Sequence, residues 1–341
     1  MRILLVLPDR TISSRIQQTL TEAGHAVTTA SRGFEAIDLL STGQFGMLLA
    51  ARQLPDFEGL ELLRLARKNG ISPYLYISLI TETVEQHEIN KALAAGADDY
   101  MRLPIDPIEL TLRVRNAERI VAIDTRDDAI IAMAKLAESR DSHTGRHVER
   151  VRMYARELAQ AMWEMGSYFG QIDANFVELI YRTAALHDLG KIAIPDAILL
   201  KPGKLSEFEY EVMKQHTTIG AETLASVITQ RSACKFLLMG RDIAQCHHER
   251  WDGTGYPNKL HAEEIPLAAR IVSVADVYDA LTSARVYKAA FTHQDAMQMI
   301  VDGGGSQFDP MVVEALAASE RPINQIRERE TDPVMAPAQA A

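Results

Sequence analysis

Residues 247–257 read HHERWDGTGYP, two adjacent histidines running into a glycine-rich turn. Neutral imidazole is a ligand for divalent transition metals. Two side by side can hardly both point into one apolar core, and Gly253, Gly255, Tyr256 and Pro257 let the backbone swing tightly around whatever the histidines face. Six of the ten histidines lie between residues 143 and 248: His143 and His147 in HTGRH, His187 in HDLGK, His216 in VMKQHTTIG, and His247 with His248. Asp188 adjoins His187, and Asp276 follows in VSVADVYDAL. Imidazole and carboxylate donors suit iron, manganese, zinc or nickel, and two such ions a few ångströms apart require about seven or eight protein donors and a bridging oxygen. Neighbours on a helix diverge by about 100°, so His187 and Asp188 are poorly placed to chelate one ion together. A carboxylate adjacent to a histidine can instead bridge to a second ion while the histidine holds the first. His247 and His248 either meet different ions, or one binds metal while the other points at the ligand.

These residues need a scaffold. AALHDLGKI and IVSVADVYDAL carry Ala, Leu and Val on one face and the ligand candidates on another, which predicts helices. Met1 to about Arg119 instead alternates short apolar runs (RILLVL, AVTTA, FGMLLAA) with amphipathic stretches. That pattern predicts an α/β domain, residues 1–119, with a doubly wound parallel sheet covered on both faces. Gly24 and Gly43 sit where helices should stop. Residues 107–140 connect the halves, with no Gly or Pro after Pro107, and Ile108, Leu112, Ile120, Ile123, Ile130 and Met133 recur at spacings near three, four or seven. One long helix is expected there, with any break near Asp124, able to pair with a second copy and so to make a homodimer. The tail of residues 321–341, ending DPVMAPAQAA, lacks periodicity and is expected to be disordered.

Composition narrows the function. With 341 residues, 47% hydrophobic and 24% charged, the chain fits two ordinary globular domains. The net charge of -10 argues against a general nucleic-acid binder, though not against a local basic pocket for a small phosphorylated ligand. Cys234 and Cys246 are too few and too close for a disulfide framework, as in a reducing cytosol. The run Ile3–Leu7 is too short for a signal peptide or a membrane span. A cytoplasmic protein without membrane association is expected.

The first segment resembles the receiver domain of two-component response regulators, on LPDFEGLELL (54–63), AGADDYMRLP (95–104) and the closing helix. The chemistry of that family is missing at the matching positions. Leu7 and Pro8 stand where a magnesium-holding acidic pair belongs, Ala51 where the phosphoacceptor aspartate belongs, and Leu103 where a lysine belongs. Alanine has no oxygen to phosphorylate. Ser78 is matched to the family's hydroxyl, and Asp9 or Asp56 are the remaining stand-ins for a phosphorylation switch. The expectation is therefore a degenerate receiver, or pseudo-receiver, that packs, dimerises or binds a protein partner, with no phosphoacceptor.

From about Asp128 to about Leu316, within a domain of residues 128–320, the chain resembles the HD-GYP family of cyclic di-GMP phosphodiesterases in the HD phosphohydrolase superfamily. The motifs are RDSHTGRHVERV, ALHDLGKIAIPDAILLKPGKLSEFEYEVMKQHTTIGAETL, HHERWDGTGYP, IPLAARIVSVADVYDALTSARVYK and GGSQFDP. The dipeptide HD alone is a weak signal; HDLGK with HHERWDGTGYP and a later aspartate is a strong one. The resemblance implies an all-α HD-type helical bundle. It also implies metal ligands at His147, His187, Asp188, His216, His247, His248 and Asp276, with Asp188 bridging two ions. Lys191 would contact the scissile phosphate, Arg285 and Lys288 would anchor ligand phosphates, and Gly255, Tyr256 and Pro257 would shape the substrate mouth. Family members that hold three ions carry a glutamate where His143 stands, so two ions are expected, with His143 an additional ligand candidate. Gln307 replaces a histidine common at its position and is expected to be structural.

The implied reaction is hydrolysis of a 3',5'-phosphodiester of cyclic di-GMP to pGpG, or to GMP after a second cut. Two ions would clamp the phosphate and lower the pKa of a bridging water for in-line attack. Iron or manganese is expected, with zinc or nickel able to take the site during purification. Two other readings share the motifs: a cyclic di-GMP receptor or interaction module with weak or no turnover, and a metal-dependent hydrolase of another nucleotide.

Overall fold

The computed structural model describes residues 1–68, 75–82, 85–138, 140, 146–228, 234–283 and 290–330. It divides into two compact units, Met1–Ala129 and Ile130–Ala341. In the first, strands and helices alternate: β1 (Arg2–Val6), α1 (Arg10–Glu22), β2 (Ala26–Ala30), α2 (Gly33–Leu40), β3 (Met47–Ala51), α3 (Gly59–Lys68), β4 (Tyr76–Thr81), α4 (Gln86–Ala94) and β5 (Asp99–Arg102). The five strands form one parallel sheet in the order β2-β1-β3-β4-β5. Every residue of β3 and β4 is buried, as expected of strands covered on both faces, and this is why they read as continuous apolar runs. Gly24 (φ +89°) and Gly43 (φ +65°) take the left-handed conformation just past α1 and α2. The doubly wound α/β expectation holds.

The C-terminal edge of this sheet carries no phosphorylation chemistry at β3, which ends on Ala51 beside Ile80 of β4. The two acids expected as stand-ins are committed to helix ends. Asp9 Oδ1 accepts from the amides of Thr11 and Ile12 at 2.8 and 3.0 Å, and Asp56 accepts from those of Gly33 and Phe34 at 2.8 and 2.9 Å. Ser78, matched to the family's hydroxyl, is fully buried in mid-strand opposite Leu49, and the last residue of β4 is Thr81. After β5 comes α5 (Pro107–Glu138), whose Leu110, Val114 and Ala117 pack against the sheet while Ile108 and Leu112 are exposed.

The second unit is helical, with no strand among its described residues. It comprises α6 (Arg146–Glu164), α7 (Ala174–Thr183), α8 (Asp196–Leu199), α9 (Glu207–Val227), α10 (Lys235–Cys246), α11 (Leu267–Thr282), α12 (His293–Asp302), α13 (Pro310–Ala318) and α14 (Glu320–Arg329), with 3-10 turns at Ala184–Leu186, Leu189–Ala193 and Ala262–Glu264. Its core forms where α6, α11, α13 and α14 meet, around Tyr154 and Tyr278, fully buried with ring centroids 5.0 Å apart, and Leu158, Ile271, Leu316 and Ile323. Helix α14 corrects the expected disorder from residue 321. Ile323 and Ile326 are buried in the core, and Arg150 Nη1 donates to the Glu330 carbonyl at 3.0 Å. Residues 331–341 lie outside the described residues. No helix among the described residues is long and apolar enough to cross a membrane.

Candidate metal centre

Five segments deliver the expected ligands. His147 is the second residue of α6, His216 lies in α9, His247 caps the C-terminus of α10 with His248 next, and Asp276 lies in α11. His187 and Asp188 lie between two 3-10 turns, so the α-helix expected through AALHDLGKI is not formed. Packing explains the departure. A Cβ on Gly190 would stand 1.9 Å from the His216 carbonyl oxygen and 2.6 Å from the Gly220 nitrogen. Only glycine lets this turn lie directly on α9, which sets Asp188 beside His216.

The donors form two groups, each with ligand atoms within 4.8 Å of one another: Asp188, His216, His247 and His248, and His147, His187 and Asp276. Asp188 faces both. Its Oδ1 lies 3.3 Å from His216 Nε2 and 3.8 Å from His247 Nε2, and its Oδ2 lies 3.2 Å from His187 Nε2 and 2.7 Å from Lys191 Nζ. In the second group, His147 Nε2 and His187 Nε2 lie 3.5 and 3.9 Å from Asp276 Oδ1.

Hydrogen bonds fix which ring nitrogen faces inward. Nδ1 of His187, His216 and His247 meets the carbonyls of Ala184, Met213 and Ile243 at 2.9, 2.7 and 3.0 Å. A carbonyl only accepts, so the proton sits on Nδ1 and the Nε2 lone pair points to the centre. Among the described residues, His216 Nε2, His247 Nε2 and Asp188 Oδ1 are buried with no hydrogen-bond partner. Each such atom costs about 1–3 kcal/mol unless something coordinates it. A divalent cation would supply that coordination, so the donor set fits a metal.

The protonation states agree. Burial holds His247 well below the usual imidazole range, lowers His216, and brings His248 down to about 4. Burial pushes Asp188 up, but Lys191 and His187 outweigh it and hold the carboxyl well below its ordinary value. At neutral pH His216, His247 and His248 are therefore neutral and Asp188 is ionised, the ligating forms of both groups.

The glycine-rich turn borders this centre. Tyr256 stacks on His248 with centroids 4.9 Å apart, and Tyr210 approaches it edge-on at 6.4 Å. Gly253 has φ +76°, and a Cβ on Gly255 would stand 2.4 Å from the Arg250 nitrogen, so the chain folds back on itself there. Buried Glu249 accepts from the amides of Asn258 and Leu260 at 2.7 and 3.2 Å and pins the loop from inside. The Gln307 carbonyl accepts from Trp251 N at 3.1 Å, so that residue's backbone braces the same loop. His143, Arg285 and Lys288 lie outside the described residues.

The HD domain pattern matches residues 132–312, and the response regulator receiver domain pattern matches residues 3–115. The chain belongs to the HD-domain family. A cyclic di-GMP phosphodiesterase of Thermotoga maritima is 34% identical over 97% of this chain and 94% of its own length. One from Vibrio cholerae is 50% identical over 58% of this chain, which spans only 40% of that relative. A 3'3'-cGAMP-specific phosphodiesterase 2 of Vibrio cholerae is 32% identical over 79% of this chain and 47% of that protein. An HD domain implies a bound divalent metal, in keeping with the His and Asp cluster.

Several working residues of this HD domain escaped the sequence reading. Asp279, 1% exposed, accepts from His147 Nδ1 at 2.7 Å and from Arg150 Nε at 2.6 Å. Its signal was present, one turn after Asp276 in DVYDAL, but only the packing of α6 on α11 gives it a partner. Glu249 and Gly190 lie inside the quoted motifs, and nothing in their spacing marks them as a loop anchor and a close-approach point.

Proposed function

We propose that the HD domain hydrolyses a phosphodiester of cyclic di-GMP at a centre of two divalent cations. One ion would be held by His147, His187 and Asp276, the other by His216, His247 and His248, with Asp188 shared between them. The observation that carries this reading is the division of the Asp188 carboxylate, one oxygen toward each group of imidazoles. When bound, such ions supply charge neutralisation for a phosphate and an activated water. The chain's own residues do the rest. The carbonyl-bound Nδ1 atoms keep His187, His216 and His247 oriented, and burial keeps His216 and His247 neutral. The Lys191 ammonium adds a fixed positive charge beside Asp188, suited to a developing phosphate charge. Tyr256 over His248 and Tyr210 line an aromatic edge suited to a purine.

The donor set, rich in imidazole, favours iron or manganese, with Arg285 and Lys288 as anchors for the substrate's phosphates and pGpG or GMP as product. The receiver unit, with Ala51 at its phosphoacceptor position, acts as an interaction or regulatory domain in a cytoplasmic protein that dimerises through α5. A specific observation favours one neighbouring reading, hydrolysis of 3'3'-cGAMP, since a relative carrying that name is 32% identical over 79% of the chain. The test is turnover of each cyclic dinucleotide by protein loaded anaerobically with Fe(II) or Mn(II), with Asp188→Ala as control. Hydrolysis of cyclic di-GMP that Asp188→Ala abolishes supports the proposal. Preferential hydrolysis of 3'3'-cGAMP moves the substrate assignment, and binding without turnover leaves a receptor.

A further inference from the structure

The imidazoles of the centre are not supported alike. His187, His216 and His247 each give their Nδ1 proton to a backbone carbonyl, a neutral acceptor. His147 meets a carboxylate instead, Asp279 Oδ2 at 2.7 Å. That carboxylate is itself clamped. Arg150 Nε donates to Asp279 Oδ1 at 2.6 Å and Nη2 to Oδ2 at 2.9 Å, while the Ser283 hydroxyl donates to Oδ2 at 3.3 Å. Arg150 is anchored in turn, through Nη2 to Ser283 Oγ at 3.0 Å and through Nη1 to the carbonyl of Glu330 at 3.0 Å. Asp279 and Arg150 are 1% and 4% exposed, so the arrangement is shielded from water.

A carboxylate behind an imidazole raises the basicity of the far nitrogen and fixes the ring plane, which strengthens coordination by that nitrogen. Arg150 keeps the negative charge on Asp279 and stops the carboxylate from turning. Among the described residues, of the two groups of donors only the one containing His147 receives this support from Asp279. We infer that Asp279, fixed by Arg150, is a positioning residue for one half of the centre, setting the affinity of the ion held through His147, His187 and Asp276 while leaving the other ion untouched. The inference rests on the two-ion reading above.

The experiment titrates the full chain, stripped of metal by a chelator, with Mn(II), read by calorimetry and by electron paramagnetic resonance. Wild type is expected to show two binding events and the signal of a coupled pair. Asp279→Asn keeps the shape but not the charge, and is expected to raise one dissociation constant by roughly 10- to 100-fold and leave the other within about twofold. At one equivalent the signal should then be that of an isolated ion. Arg150→Lys keeps the charge but loses the fork, and is expected to weaken the same ion by a smaller factor; it carries the test if circular dichroism shows Asp279→Asn unfolded. Unchanged constants in both variants overturn the inference, as do two constants raised equally, the mark of a merely structural role. A wild-type chain that takes up fewer than two ions overturns the metal reading itself.

Discussion

Lys191 Nζ lies 2.7 Å from Asp188 Oδ2, three residues along a 3-10 turn that brings the two side chains onto one edge. The ammonium stabilises the ionised carboxylate and adds positive charge at the site. Lys191→Met is expected to lower kcat/KM for cyclic di-GMP by roughly 100- to 1,000-fold while the metal content at neutral pH is retained. Without the ammonium, Asp188 holds its proton to higher pH, so the pH at which acid strips the metal should move upward. Elemental analysis across a pH series beside steady-state kinetics checks both, and an unchanged kcat/KM removes Lys191 from the reaction.

Acid should unfold the metal-free protein through its histidines. His248 is lowered by burial from 6.5 to about 4, and His216 and His247 are lowered by the same cause. The unfolded chain then binds protons that the folded chain refuses, so stability is complete above about pH 6.5 and falls as the pH drops from there toward 4. Thermal midpoints of chelator-treated protein should decline over that window, and His248→Gln should flatten the slope. A midpoint independent of pH between 6.5 and 4 contradicts the buried neutral imidazoles.

The donor cluster was legible because the residue type is itself the chemistry: a histidine or aspartate in a tight motif already declares a donor. The parallel sheet was legible because buried strands such as MLLAA and YISLIT must be apolar throughout. What supports these donors was not. Arg150 and Asp279 are 129 residues apart, and only the packing of α6 on α11 turns a helix-surface arginine and a second aspartate into a clamp. The 3-10 turns at HDLGK escaped because five residues are too few for a periodicity to distinguish three residues per turn from 3.6. Helix α14 was hidden by composition, since ERPINQIRER offers one apolar pair, Ile323 and Ile326, among charges.

The glycine-rich loop should respond as a unit to loss of its internal anchor. Glu249→Ala leaves the amides of Asn258 and Leu260 without their acceptor in a buried place, a cost of about 1–3 kcal/mol. The thermal midpoint should fall by roughly 2–4 °C per kcal/mol, and KM should rise more than kcat falls, because Tyr256 loses its seat on His248. Gly255→Ala, whose Cβ would stand 2.4 Å from the Arg250 nitrogen, should give the same kinetic pattern. Equal losses in kcat with KM untouched would instead place the loop in the chemistry.

The receiver unit should resist phosphorylation and still need its aspartates. Ala51 ends β3 without an oxygen to modify, and Asp9 and Asp56 each hold two backbone amides at a helix start. Incubation with a small phosphodonor such as acetyl phosphate is expected to add no phosphate by intact-mass spectrometry. Asp9→Ala and Asp56→Ala are each expected to destabilise by about 1 kcal/mol, the usual loss of a helix cap, in a denaturant titration of the full chain. Because each carboxylate serves a helix that a phosphoryl group would uncap, modification at either should be as destabilising as its removal. A stoichiometric mass gain abolished by Asp56→Ala would refute the capping role and restore a phosphorylation switch.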